Sequence, residues 1–424
     1  MNTIKVFYDV VVVGGGMVGS TLALSLAQSG FQVLVVELIS PLLVEENKGP
    51  HLRVSAISCT SVRLLQRINV WSRIDAYFCA PYRRLETWEL QSSAVVFDAA
   101  SLNLPELGFM VENWRLQQAL WQGFADCDAL TLCCPASLTT MCYDGRSWLL
   151  TLGDGSLVKS RLLVGADGSN SQVRRQAWIT VSGWQYRQSC ILLSVETEIC
   201  QQDTTWQVFT PSGPRAFIPL YDHWASLVWY DNAARIRQLQ KFPRLVLEQE
   251  VQDTFPQRLG KIKLKGCVSF PLTRLHACDY VRPGLVLVGD AAHTINPLAG
   301  QGANLGFRDA EVLTKVLIAA RVSGERWDAL SVLKRYEYDR RGDNLLMQMG
   351  IDLFYIAFSN DHPPLKLLRN LGLRLVQRNE WLKKQVLKYA LGLCSSVVLA
   401  LLPTNLFFSL SLHVMSISNL IFIK

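Results

Sequence analysis

Paired cysteines are missing from this chain. Its 11 cysteines form no CxxC and no Cys/His cluster at metal-ligand spacing, and Cys133 and Cys134 are merely adjacent. That pattern argues against a bound metal and leaves reduced core or surface thiols. No charged n-region or cleavage site precedes the first β-branched run, MNTIKVFYDVVVVGGG, so the start reads as that of a cytoplasmic protein. No recognisable nucleic-acid module accompanies the net charge of +7. A basic excess then serves an anionic membrane surface or solubility alone, and the membrane surface is the better candidate. Charged residues are only 18% against 50% hydrophobic ones, with 12 Trp and 12 Tyr, which excludes a disordered chain. Internal repeats and low-complexity tracts are lacking as well.

At 424 residues the chain is about two to three times a typical single domain, and two lobes are expected. A mean hydropathy of +0.17 leans towards a membrane or a greasy ligand. Tyr8 to Val13 reads as a buried parallel strand, Gly14 to Gly19 as a turn, Ser20 to Gln28 as a helix stopped at Gly30, and Phe31 to Glu37 as a second strand. Such a βαβ unit needs a crossover on a parallel sheet, so the expected fold class is α/β with a Rossmann-like, doubly wound lobe. Short β-rich segments between Trp88 and Phe97, Ile191 and Thr197, and Arg215 and Trp229 suggest an inserted, sheet-rich lobe. The parallel-strand type returns at Leu285 to Val288, ahead of a helix-like stretch from Leu305 to Ala320. The expected division is therefore residues 1–75, 100–180 and 275–345 for a discontinuous cofactor-binding domain and 76–99 and 181–274 for a substrate domain. A helical C-terminal region at 346–393 and an apolar tail at 394–424 complete it.

Three motifs carry the chemistry. Gly14, Gly16 and Gly19 form GxGxxG between strand and helix: Gly14 permits a tight turn, Gly16 lets amides approach a pyrophosphate, and Gly19 allows close helix-to-strand packing. Glu37 closes the second strand 18 residues after Gly19, where a carboxylate can accept both hydroxyls of an adenosine ribose and disfavours a phosphorylated one. A tight turn with no ligand is the alternative, and this motif alone does not separate FAD from NAD. The second motif, Gly165-Ala-Asp167-Gly168-Ser-Asn-Ser-Gln-Val-Arg174, follows a strand from Arg161 to Val164. The third runs from Gly289 to Gly306, GDAAHTINPLAGQGANLG. Its Asp290 stands at a strand end, where ligands of open α/β sheets bind, and can accept a ribityl hydroxyl. Gly300, Gly302 and Gly306 lead into a helix whose N-terminal amides can hold partial negative charge on a reduced isoalloxazine ring.

With these motifs the chain resembles the flavoprotein aromatic-ring monooxygenases, and within them the ubiquinone-biosynthesis hydroxylases. The likeness covers residues 5 to 393 and also rests on RVSAIS (53–58), PYRRLETW (81–88), GFMVENWRLQQAL (108–120) and the stretch from Asp203 to Trp229. It implies that Gly14, Gly16, Gly19 and Glu37 bind the ADP part of FAD, that Asp290 meets the ribityl-pyrophosphate region, and that Pro297, Gly300, Gly302 and Asn304 line the flavin ring. Arg53 falls in the segment that approaches the flavin, and Gln117 in a helix near the cofactor. The Asp167–Gly168 segment is associated in this family with both FAD and NAD(P)H. The implied activity is hydroxylation of the ring of a polyprenylated benzoquinol: NAD(P)H reduces FAD, O2 adds at C4a, the hydroperoxide delivers OH to the ring, and water leaves. The protein's part is to orient the ring and exclude water, and no catalytic side chain is assigned. Another ring hydroxylase of the same pathway or a flavin-dependent polyprenyl reductase is the alternative. A flavin halogenase would carry WxWxIP, and only Phe217-Ile218-Pro219 resembles it. An assembly subunit with lapsed catalysis fits poorly with intact motifs.

His293, inside the third motif, reads as a structural residue with its ring bonded locally rather than as an acid–base catalyst. Arg215 and Phe217 sit on a strand that either faces substrate or packs as an ordinary sheet. A polyprenyl quinol must be met at a membrane surface or through other ubiquinone-biosynthesis proteins, so a location peripheral to the inner membrane is expected. Pro364 to Leu393 reads as one basic amphipathic helix with Leu368, Leu371, Leu375, Leu382, Val386, Tyr389 and Leu393 on one face, either interfacial or packed on the enzyme body. From Tyr389 to Ile423 there is no Asp, Glu, Lys or Arg, but Pro403, Thr404 and Asn405 interrupt the run. If this tail anchors the protein, a chain ending at Leu393 leaves the membrane fraction, and unchanged partitioning rules the anchor out.

Overall fold

The computed structural model describes residues 4–41, 49–200, 202–297 and 300–394. The elements run β1 (Ile4–Val13), α1 (Met17–Ala27), β2 (Val33–Val36), β3 (Val54–Ser58), α2 (Cys59–Arg67), β4 (Ala80–Tyr82), β5 (Arg84–Trp88), β6 (Val95–Asp98), β7 (Gly108–Glu112) and α3 (Asn113–Phe124). Then follow β8 (Leu130–Cys133), β9 (Leu138–Tyr143), β10 (Trp148–Leu152), β11 (Leu157–Gly165), α4 (Gln172–Gln176), β12 (Val181–Thr197), β13 (Thr204–Val208), β14 (Arg215–Pro219) and β15 (Trp224–Asn232). The chain closes with α5 (Ala233–Leu239), α6 (Arg244–Thr254), β16 (Ile262–Ala277), β17 (Val281–Arg282), β18 (Leu285–Leu287), β19 (His293–Thr294), α7 (Gly302–Val322), α8 (Leu330–Phe358), α9 (Pro363–Arg378) and α10 (Glu380–Leu391).

Val10 to Val13 and Val33 to Val36 are apolar without alternation because helices cover both faces of the sheet they enter. That sheet has the order β17-β18-β11-β1-β2-β8, with β10 and β9 added beside β11. Its β18-β11-β1-β2-β8 pairings are parallel. The crossover helix α1 is buried from Gly19 to Ala27, against α3 and α7. The fold is thus α/β with a Rossmann-like core.

The second sheet has the order β19-β16-β12-β15-β14-β13-β5-β6 and is antiparallel except where β13 meets β5. Long strands β12 and β16 pair from Val181↔Ala277 to Thr197↔Ile262 and tie this sheet to the first. A small third sheet, β3-β7-β4, lies between. The expected domain limits at 274/275 and 345/346 fall inside β16 and α8, because each of these elements runs on unbroken through the limit.

Alternation along β14 separates two faces. Phe217 pairs with Leu227, and Arg215 with Trp229; these side chains share the face covered by α5 and α6. Phe217 is 3% exposed and stacks on Trp206 with ring centroids 5.3 Å apart. The Arg215 guanidinium bonds Thr210 Oγ1 at 2.9 Å and lies over the Trp229 ring. The sheet-packing reading of both residues is the one this placement supports, since the face turned to the first domain is the other one.

The expected single helix over 364–393 is two helices, broken at Asn379, whose side chain caps α10 by accepting Leu382 N at 3.0 Å. The expected face is not buried as one: Leu368, Leu371 and Leu375 of α9 and Val386 of α10 are exposed, Leu382, Tyr389 and Leu393 are half-buried, and α10 buries Leu387 and Leu391 instead. Among the described residues no helix is long and apolar enough to cross a membrane. The apolar tail, whose anchoring role the sequence left open, lies beyond Cys394 outside the described residues.

Replacing Phe217 by Ala removes a stacked ring from a filled core and should cost about 3–5 kcal/mol in urea unfolding. A loss under about 1 kcal/mol would place the ring outside the core.

Candidate cofactor site

The glycines at the end of β1 divide their work. Gly14 has φ +109°, and a Cβ there would lie 2.3 Å from Ala166 O; at Gly19 it would lie 2.0 Å from Gly14 O. Both positions are closed to any side chain by backbone contact. Gly16, by contrast, has nothing within 4 Å of an added Cβ. It caps α1 without any side-chain bond, and no acidic residue stands in the first turn. The orphan amides of α1 therefore face open space, the arrangement that takes a phosphate.

Around this ledge the turn is clamped. Gly15 O accepts from Gln117 Nε2 at 3.1 Å, Trp121 Nε1 at 2.8 Å and Ser20 Oγ at 2.9 Å. Gln117 thus holds the turn from α3, and Trp121, which the sequence did not single out, does the same. Glu37 sits at the expected place, with Oε2 accepting Gly15 N at 2.6 Å and Oε1 accepting Ile39 N at 3.0 Å. Asp167 is turned to its own chain: its oxygens accept Ser171 Oγ at 2.5 Å and the amides of Gln172 and Val173, closing the start of α4. Arg174 then reaches Ala291 O at 2.7 Å and joins the second motif to the third.

The third motif is organised by a residue outside the expected set. Asp309, fully buried on α7, accepts Gly289 N at 3.0 Å, His293 Nε2 at 2.5 Å, Arg340 Nε at 2.8 Å and Asn344 Nδ2 at 3.1 Å. Burial alone would raise its pKa, but the charges of His293 and Arg340 win and hold it well below the usual carboxylate range. His293 is bonded within the protein, to Asp309, as its structural reading expects. Asp290 is exposed, and among the described residues no side chain bonds its carboxyl. Although solvent reaches its side chain, the protein atoms crowded around the carboxyl push its pKa up; the charge of His293 opposes this and Asp309 adds a smaller push. A carboxyl held in a cleft with its oxygens unpaired is suited to accept a ligand hydroxyl.

Pro297 and Gly300 are exposed beside it, Gly300 at φ +60° with Ala56 Cβ 3.7 Å from an added Cβ. Gly302 opens α7, again without a side-chain cap or an acid in the first turn. Two uncapped helix starts thus flank Asp290. Val18 requires Gly306, where a Cβ would meet Val18 Cγ2 at 2.4 Å. Asn304 is fully committed to protein: it donates to Ala56 O at 2.8 Å and accepts Ser58 N at 3.0 Å and Ser61 Oγ at 2.9 Å. It fixes β3 against α7 rather than pointing into the cleft. Arg53 is exposed before β3, with Arg53 O accepting Asn113 N at 3.0 Å.

Across from Gly300, Ala56 and Val54 share an apolar cluster with Ile218. Ile218 continues into Leu192, Ala216 and Phe270, half-buried residues on the inner face of the second sheet. A flat apolar ring can be held there. The residues present fit a dinucleotide whose pyrophosphate meets α1, whose polyol meets Asp290 and whose ring lies between α7 and this apolar face.

The site and fold define a flavin-type dinucleotide protein, and comparison with known proteins agrees. The family model described as FAD binding domain matches residues 7–343. The 3-demethoxyubiquinol 3-hydroxylase of Escherichia coli (strain K12) is 54% identical over 385 residues, 91% of this chain and 98% of the relative. A ubiquinone hydroxylase, UbiL, of Rhodospirillum rubrum is 38% identical, across 91% of this chain and 89% of the relative. The p-nitrophenol 4-monooxygenase PnpA of Pseudomonas putida shares the fold at TM-score 0.75 and 19% identity, covering 91% of this chain and 97% of that one. The chain belongs to the FAD-binding ubiquinone-biosynthesis hydroxylase family. It is an FAD-dependent aromatic-ring monooxygenase with NAD(P)H and O2 as cosubstrates.

Beside His293, His276 is paired with it between β16 and β19. Burial first, then the charges of His293 and Arg274, hold its pKa down at about 4 against an ordinary 6.5. The unfolded chain therefore takes up this proton first as pH falls. Its contribution is intact above pH 6.5 and drains away between 6.5 and 4, by up to roughly 3 kcal/mol. The urea midpoint of the wild type should fall more steeply through that window than that of His276→Gln; equal slopes would contradict the assignment.

Proposed function

We propose that this protein adds a hydroxyl to the ring of a polyprenylated benzoquinol, at the step named for the Escherichia coli relative, conversion of a 3-demethoxyubiquinol. The observation that carries the reading is 54% identity sustained over 98% of that relative. Bound FAD supplies the electron transfer from NAD(P)H and the O2 chemistry.

The chain's own residues bind, orient and shield. The amides of α1 beside Gly16 receive the pyrophosphate, and Glu37, whose oxygens keep lone pairs beyond those given to Gly15 and Ile39, receives the adenosine ribose. Asp290 accepts a ribityl hydroxyl. The start of α7 at Gly300 to Gly302, beside Pro297, stabilises negative charge on the ring by its dipole. Gly14 and Gly19 act through backbone approach, and Gln117, Asp167 and Asn304 through the loops they hold. Arg53 brings a guanidinium to the edge of the cleft. Ile218, Leu192 and Phe270 give the quinol ring an apolar wall and keep water from it.

A quinol with a polyprenyl chain is nearly insoluble in water. We therefore place the protein on the cytoplasmic face of a membrane, held peripherally, with handover from other ubiquinone-biosynthesis proteins as the alternative supply. Purified protein should be yellow and consume NAD(P)H and O2 when a demethoxy quinol is present, and a deletion strain should accumulate that quinol. Colourless wild-type protein that stays colourless with added FAD would sink the reading. Asp290→Ala should weaken FAD retention about 10-fold or more, read by flavin absorbance after dialysis.

A further inference from the structure

We infer that the outward leucine face of α9 is the surface by which this protein docks on an anionic lipid bilayer. The inference rests on the polyprenyl-quinol reading above and names the place where that reading meets the membrane.

The helix α9 turns three of its polar residues, Arg369, Asn370 and Gln377, towards the body of the protein. Arg369, 9% exposed, pairs with both carboxylate oxygens of Glu89, with Nε at 2.8 Å from Oε2, and donates to Ala357 O at 2.9 Å and Asn360 Oδ1 at 3.0 Å. Asn370, also buried, bonds Glu89 Oε2 at 2.5 Å, Lys366 O at 2.7 Å and the Ser93 hydroxyl. Gln377 Oε1 accepts Val96 N at 3.0 Å. These bonds fix the rotation of the helix about its axis, since a rolled helix would leave Glu89 as an unpaired buried carboxylate.

With that rotation fixed, the leucines point away from the protein. Leu367, Leu368, Leu371 and Leu375 are 72%, 63%, 51% and 60% exposed. The end of α8, which packs against α9, adds half-exposed Leu353, Phe354 and Ile356. An apolar face of this extent on adjoining helices marks an interaction surface.

Charge selects the partner. Arg374 and Arg378 border the leucines, and Lys384 and Lys388 follow on α10; none of the four makes an ion pair among the described residues. From Pro363 to Leu391 the sequence holds one acid, Glu380, and Lys383 pairs with it at 2.7 Å. Leucines rimmed by unpaired cations match an acyl boundary under anionic headgroups. The helix then lies in the interface plane.

The test uses the full flavin-loaded chain and flotation with vesicles of phosphatidylethanolamine and phosphatidylglycerol, or of phosphatidylcholine alone. Wild type is expected to float with the anionic vesicles, and Leu367→Gln/Leu371→Gln/Leu375→Gln to lose at least 10-fold in bound fraction. Arg378→Gln/Lys384→Gln should lose the preference for anionic over zwitterionic vesicles, as should wild type in high salt. Flavin content and turnover of a short-chain, water-soluble quinol are expected to be unchanged in both variants. Three results would overturn the inference. Wild type could fail to bind, or the leucine variant could float like wild type, which would assign binding to residues 395–424. Alternatively, the leucine substitutions could split a dimer in sedimentation without changing flotation, which would make the face a contact between copies. Absence of short-chain quinol turnover in wild type would count against the hydroxylase reading alone, because flotation is measured without catalysis.

Discussion

Four donors converge on the carboxylate of Asp309, and the cofactor cleft takes its shape from that convergence. The Gly289 amide fixes the turn from which Asp290 projects, His293 fixes the strand after it, and Arg340 and Asn344 bind α8 to the same point. A buried carboxylate is costly unless its lone pairs are filled and its charge balanced. Here both conditions are met by residues of three different segments: removing the Gly289 amide or Asn344 would leave a buried lone pair unfilled, and removing Arg340 would leave the carboxylate charge unbalanced. Among the described residues no side chain bonds the carboxyl of Asp290 next door, and we propose that it is the one that remains for a ligand.

A second constraint works through contact rather than charge. Gly14 against Ala166, Gly19 against Gly14 and Gly306 against Val18 are approaches that no Cβ survives. They draw α1 onto the sheet and α7 onto α1, and so bring two uncapped helix starts to one cleft. Gly16 is the exception in this set, since nothing presses on it, and its openness marks where the chain leaves room. Gly14 and Gly19 are thus fixed by close packing, and Gly16 by nothing within the protein.

The C-terminal helices illustrate how a pattern can fix the kind of element and leave its orientation open. Basic residues and leucines alternate over 364–393 at a helical period, and the elements are helical. Which face turns inward was decided by Glu89, which takes Arg369 and Asn370 into the body and leaves four leucines outside. The expected stripe continues across Asn379, yet α10 leaves its members Leu382 and Tyr389 half-buried and Val386 exposed, and buries Leu387 and Leu391, which lie off that stripe. One hydrophobic stripe was read where two helices answer to different neighbours.

The sequence by itself determined the βαβ unit, the α/β class, the three motifs in order and the family they belong to. These rest on short-range spacing: the uninterrupted valines of β1 and β2, glycines at fixed offsets, and an acid at the end of a strand. Only the tertiary structure decided that Asp167, Gln117 and Asn304 hold loops, that Asp309 and Trp121 belong to the site, that Phe217 faces α5 and α6, and that α9 shows its leucines to solvent. Each of these depends on a partner from elsewhere in the chain. Trp121 meets Gly15 across 106 residues, and Arg369 meets Glu89 across 280. Local periodicity assigns a residue to an element and a face, but burial of that face is settled by what the rest of the fold places against it.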